Sequence, residues 1–126
     1  MILDTSVLVD IDRGRNLERI DRLPDTWHAI SAATYMELCV GRYRNDVGKV
    51  EFEKIDENLE ILPVTKGVAD KAGQIFADLM DEGVPIEIND TYIAATAVIH
   101  GQPVLTNNAD HFERVKHIEV VDWSDL

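Results

Sequence analysis

The chain has 126 residues, a length that suits one domain with a single core and burial of roughly two-thirds of its unfolded surface. Its single cysteine, Cys39, excludes an internal disulfide, and no apolar run reaches the ~18 residues of a membrane span. A net charge of −12 argues against a protein that holds nucleic acid by wrapping it in lysines.

In chain order, Ile2 to Asp4 reads as a first strand, and a helix follows through Leu23, stopped by Pro24. His28, Ala29 and Ile30 form a second short strand. Ser31 opens a second helix that runs to Tyr43, and a charged helix spans Val47 to Asn58. Leu59, Ile61, Leu62 and Val64 make a third strand, with Pro63 tolerated near its end. From Lys66 to Glu82, Val68, Ala69, Ala72, Ile75, Phe76 and Leu79 recur at helical spacing until Gly83 closes the segment. Beyond Pro85, an apolar helix from Asp90 to His100 ends at Gly101. Val104 and Leu105 form a fourth strand, and Ile118, Val120 and Val121 a fifth. Strands alternating with helices predict an α/β fold, one domain over residues 1–126, with a parallel sheet covered on both faces.

Charge is unevenly placed. Residues 1–45 carry six arginines against seven acids, a net of −1, which leaves −11 on residues 46–126. Arginine's planar fork grips phosphate, so the first third can present an anion-binding face, or simply a solvated helix face. Fourteen aspartates, ten glutamates and five lysines are a balance that suits high internal salt. Met1 leads directly into the first strand without a basic segment or cleavage site, and Cys39 lies among Met36, Leu38 and Val40. The expectation is a soluble, cytoplasmic protein with a buried thiol in a reducing compartment.

Three carboxylates fall where an α/β sheet places its chemistry, at the carboxyl ends of strands. Asp4 ends the first strand; it can also cap the helix that follows. Glu37 lies inside the second helix with Ala33, Val40 and Gly41 as neighbours, pointing inward, although Thr34 and Glu37 also have the spacing of a capping box. Asp90 opens the helix DTYIAATAVIHG, where first-turn acids are ordinary, above a row of small apolar residues that must pack on the sheet. The segment TNNADHF follows the fourth strand as a polar turn. Two carboxylates ~5 Å apart at an effective dielectric of about 20 repel by roughly 3 kcal/mol, so three in one crevice need cations or shifted pKa values. Oxygen ligands of this hardness suit Mg²⁺ or Mn²⁺.

Together, MILDTSVLVD, ATYMELCVGR, INDTYIAATAVIHG and VLTNNADHFERV, in this order and over essentially the whole chain, resemble the PIN-domain proteins, specifically the VapC-type toxins of toxin–antitoxin pairs. The resemblance implies a five-stranded parallel sheet between helices and a Mg²⁺- or Mn²⁺-dependent endoribonuclease. It also implies a homodimer, held inactive by a VapB-type antitoxin whose tail enters the active-site groove. Asp4, Glu37 and Asp90 match the family's three constant acids as metal ligands, and Ser6 and Thr106 match polar positions lining the pocket. Where many members carry a fourth acid, this chain has Asn108, with Asp110 displaced from the usual position; one strong metal site, assisted by Asn108 or Asp110 at a weaker second one, is the expectation.

The remaining polar and aromatic residues read more plainly. His28, His100, His111 and His117 lack zinc-ligand spacing and suit surface or turn roles. Trp27 and Trp123 suit core or edge packing, and Tyr43, between Arg42 and Arg44, a helix-end anchor or a base-stacking platform. A phosphoacceptor receiver domain would need adjacent acids after the first strand and a lysine after the last, which Thr5 and Asn107 do not supply. The competing class is a catalytically silent module whose acidic pocket only receives a basic partner segment.

Overall fold

The computed structural model describes residues 1–24, 26–44 and 59–126, so the expected helix from Val47 to Asn58 lies outside the described residues. Five short strands, β1 (Ile2–Leu3), β2 (Ala29–Ser31), β3 (Glu60–Leu62), β4 (Val104–Thr106) and β5 (Val120–Asp122), form one parallel sheet in the order β3-β2-β1-β4-β5. The helices are α1 (Thr5–Asp12), α2 (Ala32–Tyr43), α3 (Lys66–Asp81), α4 (Ile88–His100) and the single turn α5 (Ala109–Phe112). Short 3₁₀ turns occupy Leu17–Arg22 and Trp123–Asp125.

Alternation along the strands divides the core between the two faces of the sheet. Ile2, in register with Ala29 and Val104, joins both of them in a buried cluster with Val68, Ala72 and Leu79 of α3 and Ile93, Ala94 and Ala97 of α4. One residue further along, Leu3, Ile30 and Leu105 pack with Val7 and Leu8 of α1, Leu38 of α2 and Trp123. The small residues of α4 let that helix lie close to the sheet, as its sequence predicted. Strand order reverses between β1 and β4, which places the crevice of this fold at their carboxyl ends.

Polar residues at the strand ends start the helices. Asp4 caps α1 by accepting the Thr5 N–H at 2.8 Å, Ser31 caps α2 through the Ala33 N–H at 3.0 Å, and Thr65 caps α3 through the Val68 N–H at 3.1 Å. Thr34 is therefore already inside α2 and buried, which excludes the capping-box reading of Glu37. Gly101, in the left-handed region at φ +62°, closes α4.

The elements differ from expectation at their ends. The first helix stops at Asp12 instead of Leu23, because Gly14 (φ +69°) and Asn16 (φ +54°) both turn left-handed, and the chain resumes only as a 3₁₀ turn. Strand β2 is shifted by one residue to end at Ser31, and β3 is confined to Glu60–Leu62. Helix α4 starts at Ile88, two residues before Asp90, and the TNNADHF segment contains a helical turn. Strand β5 starts at Val120 because His117, just upstream, is left-handed at φ +68°. Cys39 is partly buried, a free thiol against the Leu3 cluster. Trp123 is fully buried as expected, whereas Trp27 sits at an edge where its indole N–H donates to Glu60 Oε2 at 2.7 Å. Tyr43 is 78% exposed.

Candidate active site

Asp4 is 3% exposed and anchors the crevice. Its backbone N–H donates to the Leu105 carbonyl at 2.9 Å, which pins the end of β1 to β4. Besides the cap bond from Thr5, its carboxylate accepts the Ser6 hydroxyl at 2.7 Å and the Thr106 hydroxyl at 2.8 Å. Both expected pocket hydroxyls therefore hold Asp4 directly. Thr106 also accepts the Asn108 N–H at 2.9 Å, so one threonine joins β4, the following turn and Asp4.

Glu37 reaches the same cleft from α2, where the Thr5 hydroxyl donates to its Oε1 at 3.1 Å. Asp90 reaches it from the first turn of α4. A cleft of about 410 Å³ is lined by Asp4, Glu37 and Asp90, together with Asp10, Glu87 and His111. Ser6 and Asn108 line it as well. Asp110 does not: it is exposed and borders a neighbouring polar groove shared with Asp122, so the structure does not bring it to the three acids.

Charge in this cleft is poorly compensated. Burial pushes the Glu37 carboxyl above the usual carboxylate range, with the Asp4 and Glu87 charges adding to the rise and the Thr5 hydroxyl opposing it. Burial likewise pushes Asp90 up to about 6, reinforced by the charges of Asp4, Glu37 and Glu87 and opposed by His111. Such a site calls for a cation, and its carboxylate and hydroxyl oxygens fit a hard divalent one. Among the described residues, no three Asp, Glu, His or Cys side chains lie close enough together to hold a metal ion as they stand, so the acids would have to draw in around one. An open acidic cleft of this kind suits Mg²⁺, which keeps several waters and takes one or two carboxylates plus substrate phosphate.

Sequence reasoning missed three members of this surface, Asp10, Glu87 and His111, and placed a fourth, Asn107, only in the polar turn after the fourth strand. Asp10 lies one turn beyond Ser6 on α1, a spacing legible in advance. It accepts the Asn107 side-chain amide at 3.0 Å and the Asn16 amide at 3.3 Å, with the Arg15 guanidinium at 3.8 Å. Asn107 closes the loop by donating its N–H to the Ser6 hydroxyl at 3.0 Å. Glu87 enters because α4 begins early. His111, read as a surface or turn residue, lines the cleft with Nδ1 3.8 Å from Asp90 Oδ2.

The PIN domain family description matches residues 1–118. The chain is 33% identical over 116 residues to ribonuclease VapC1 of Methanocaldococcus jannaschii, covering 92% of this chain and 81% of that one. It is 33% identical over 98 residues to the tRNA(fMet)-specific endonuclease VapC of Shigella flexneri, covering 75% of this chain and 74% of the relative. Among solved structures, DNA-bound VapBC from Salmonella typhimurium superposes with a TM-score of 0.82 at 30% identity, over 97% of this chain and 96% of that one. VapBC-1 from nontypeable Haemophilus influenzae superposes with a TM-score of 0.85 at 25% identity, over 98% and 97%. With its sheet order, its acids at the strand ends and a match over nearly its full length, the chain belongs to the PIN-domain family, among the VapC proteins.

Proposed function

We propose that this protein is the toxin of a VapBC-type toxin–antitoxin pair, an endoribonuclease that cuts RNA phosphodiester bonds with the help of Mg²⁺ or Mn²⁺. The observation that carries the reading is the convergence of Asp4, Glu37 and Asp90 on one cleft, from β1, α2 and α4, with two of the three carboxyls pushed up by burial and mutual repulsion. The VapC relatives named as ribonuclease and endonuclease support RNA as the substrate, and the solved VapBC complexes support a VapB-type antitoxin as partner. We further read the whole chain as that one domain, a homodimer acting in the cytoplasm beside its RNA; among the described residues no helix is long and apolar enough to cross a membrane.

Asp4, Glu37 and Asp90 would hold the cation. Once bound, it supplies Lewis acidity toward the scissile phosphate. Asp4 is prepared for this by its hydrogen bonds: three donors fix both oxygens, so the carboxylate has little freedom left to lose. Thr5 does the same for one oxygen of Glu37. Asn108, fixed through Thr106, offers an amide at the position where an acid would bring further charge, which makes a second ion the weaker one.

The test is incubation of the purified protein with a mixed RNA pool in Mg²⁺ or Mn²⁺, beside EDTA, Asp4→Asn and Asp90→Asn controls. Discrete cuts that disappear in all three controls are expected. Wild type and variants that behave alike in every condition would leave only an acidic pocket that receives a basic partner segment.

A further inference from the structure

The three acids are not equally supported. Asp4 accepts three hydrogen bonds, and Glu37 is held by the Thr5 hydroxyl and the Asn89 side chain, but among the described residues no hydrogen bond reaches the Asp90 carboxylate. On the other side of a 3.8 Å gap is His111, whose Nδ1 is buried and has no hydrogen-bond partner among the described residues. A buried polar atom left unpaired calls for an explanation, and the partly buried Asp90 carboxylate facing it supplies one. The position of His111 is fixed by the fold: α5 is seated by Phe112, fully buried in the core, and is preceded by the Asn108 to Thr106 bond. The rest of the His111 side chain is open to solvent, at 44% exposure, so the 3.8 Å gap is one that a small side-chain rotation would close.

We propose that His111 is a positioning residue for Asp90: its Nδ1–H donates to Asp90 Oδ2 when the carboxylate turns to hold the cation. Carboxylate ligands are commonly held by hydrogen bonds from the protein, and among the described residues Asp90 otherwise has none. The role requires a donor at Nδ1 and does not require a charge on the ring. The inference rests on the metal-dependent reading above, which the same experiment tests separately.

The substitution His111→Asn would place an amide NH₂ where Nδ1 stands, whereas His111→Gln places it where Nε2 stands, and His111→Ala removes both. Mn²⁺ affinity of the RNA-free protein is measured by EPR for wild type and the three variants, with thermal unfolding as a check on folding, followed by kcat and KM for RNA. His111→Ala and His111→Gln should weaken Mn²⁺ roughly tenfold, and His111→Asn should restore most of it. At saturating Mn²⁺ the loss should fall on kcat, with KM for RNA little changed. Rescue by Gln instead of Asn, or three variants that bind Mn²⁺ as wild type does, overturns the assignment. Absence of Mn²⁺ binding by the wild type itself overturns the metal reading beneath it.

Discussion

Asp4 and Asp90 sit in one cleft yet contribute to stability with opposite sign. Asp4 satisfies the Thr5 N–H and the Ser6 and Thr106 hydroxyls, so Asp4→Ala strands three donors and should cost about 2 kcal/mol in thermal or denaturant unfolding. Asp90 is different, because its carboxyl is raised from 3.8 to about 6. Below pH 4 it is protonated whether the chain is folded or not; between about 4 and 6 only the unfolded chain ionises it; above 6 the folded chain bears the full cost of the charge. Metal-free Asp90→Asn should therefore be more stable than wild type at pH 7.5, by on the order of 1 kcal/mol after solvent screening or roughly 3–5 °C in Tm, and the gain should vanish near pH 4. Differential scanning calorimetry in EDTA at the two pH values decides it. At this scale Asp4 stood out because it ends a strand, and Glu37 and Asp90 because each lies on a helix among small apolar neighbours, whereas Ser6 and Thr106 came from the resemblance to the VapC-type proteins. The geometry adds that these side chains meet at one cleft or, for Thr106, at Asp4. The sequence did not identify His111, whose significance depends on a 3.8 Å approach to a residue twenty-one positions away.

Helix interiors were legible because burial imposes a period, and helix ends were not, because they depend on single backbone angles. Nothing in the apolar pattern separates α1 from the 3₁₀ turn after it; the left-handed Gly14 and Asn16 do. Likewise α4 gained two residues at a start that has no side-chain cap to mark it. Two glycines test this distinction. Gly101 is left-handed, and a methyl group added there would meet nothing within 4 Å, so Gly101→Ala should cost about 1 kcal/mol through backbone strain alone. Gly73 lies inside α3 with equally open space and no such angle, and Gly73→Ala should stabilise by roughly 0.5–1 kcal/mol. Urea unfolding of the two variants should move in opposite directions.

The molecule as a whole carries −12, and the expected α/β sandwich has that charge distributed over a surface in which most of the arginine belongs to the first third of the chain. Self-repulsion of this size is screened by salt within about 10 Å at 0.1 M and within about 3 Å at 1 M. Raising KCl from about 0.02 to about 1 M should therefore raise Tm, measured by circular dichroism; a falling Tm would mean that local ion pairs outweigh the net charge. Sheet order adds a consequence in time. β1 is the first strand made, yet its neighbour β4 and the Thr106 hydroxyl that grips Asp4 come 102 residues later. No chain cut short before β4 can assemble the cleft, so a copy interrupted during synthesis carries Asp4 without the strand and the hydroxyl that hold it.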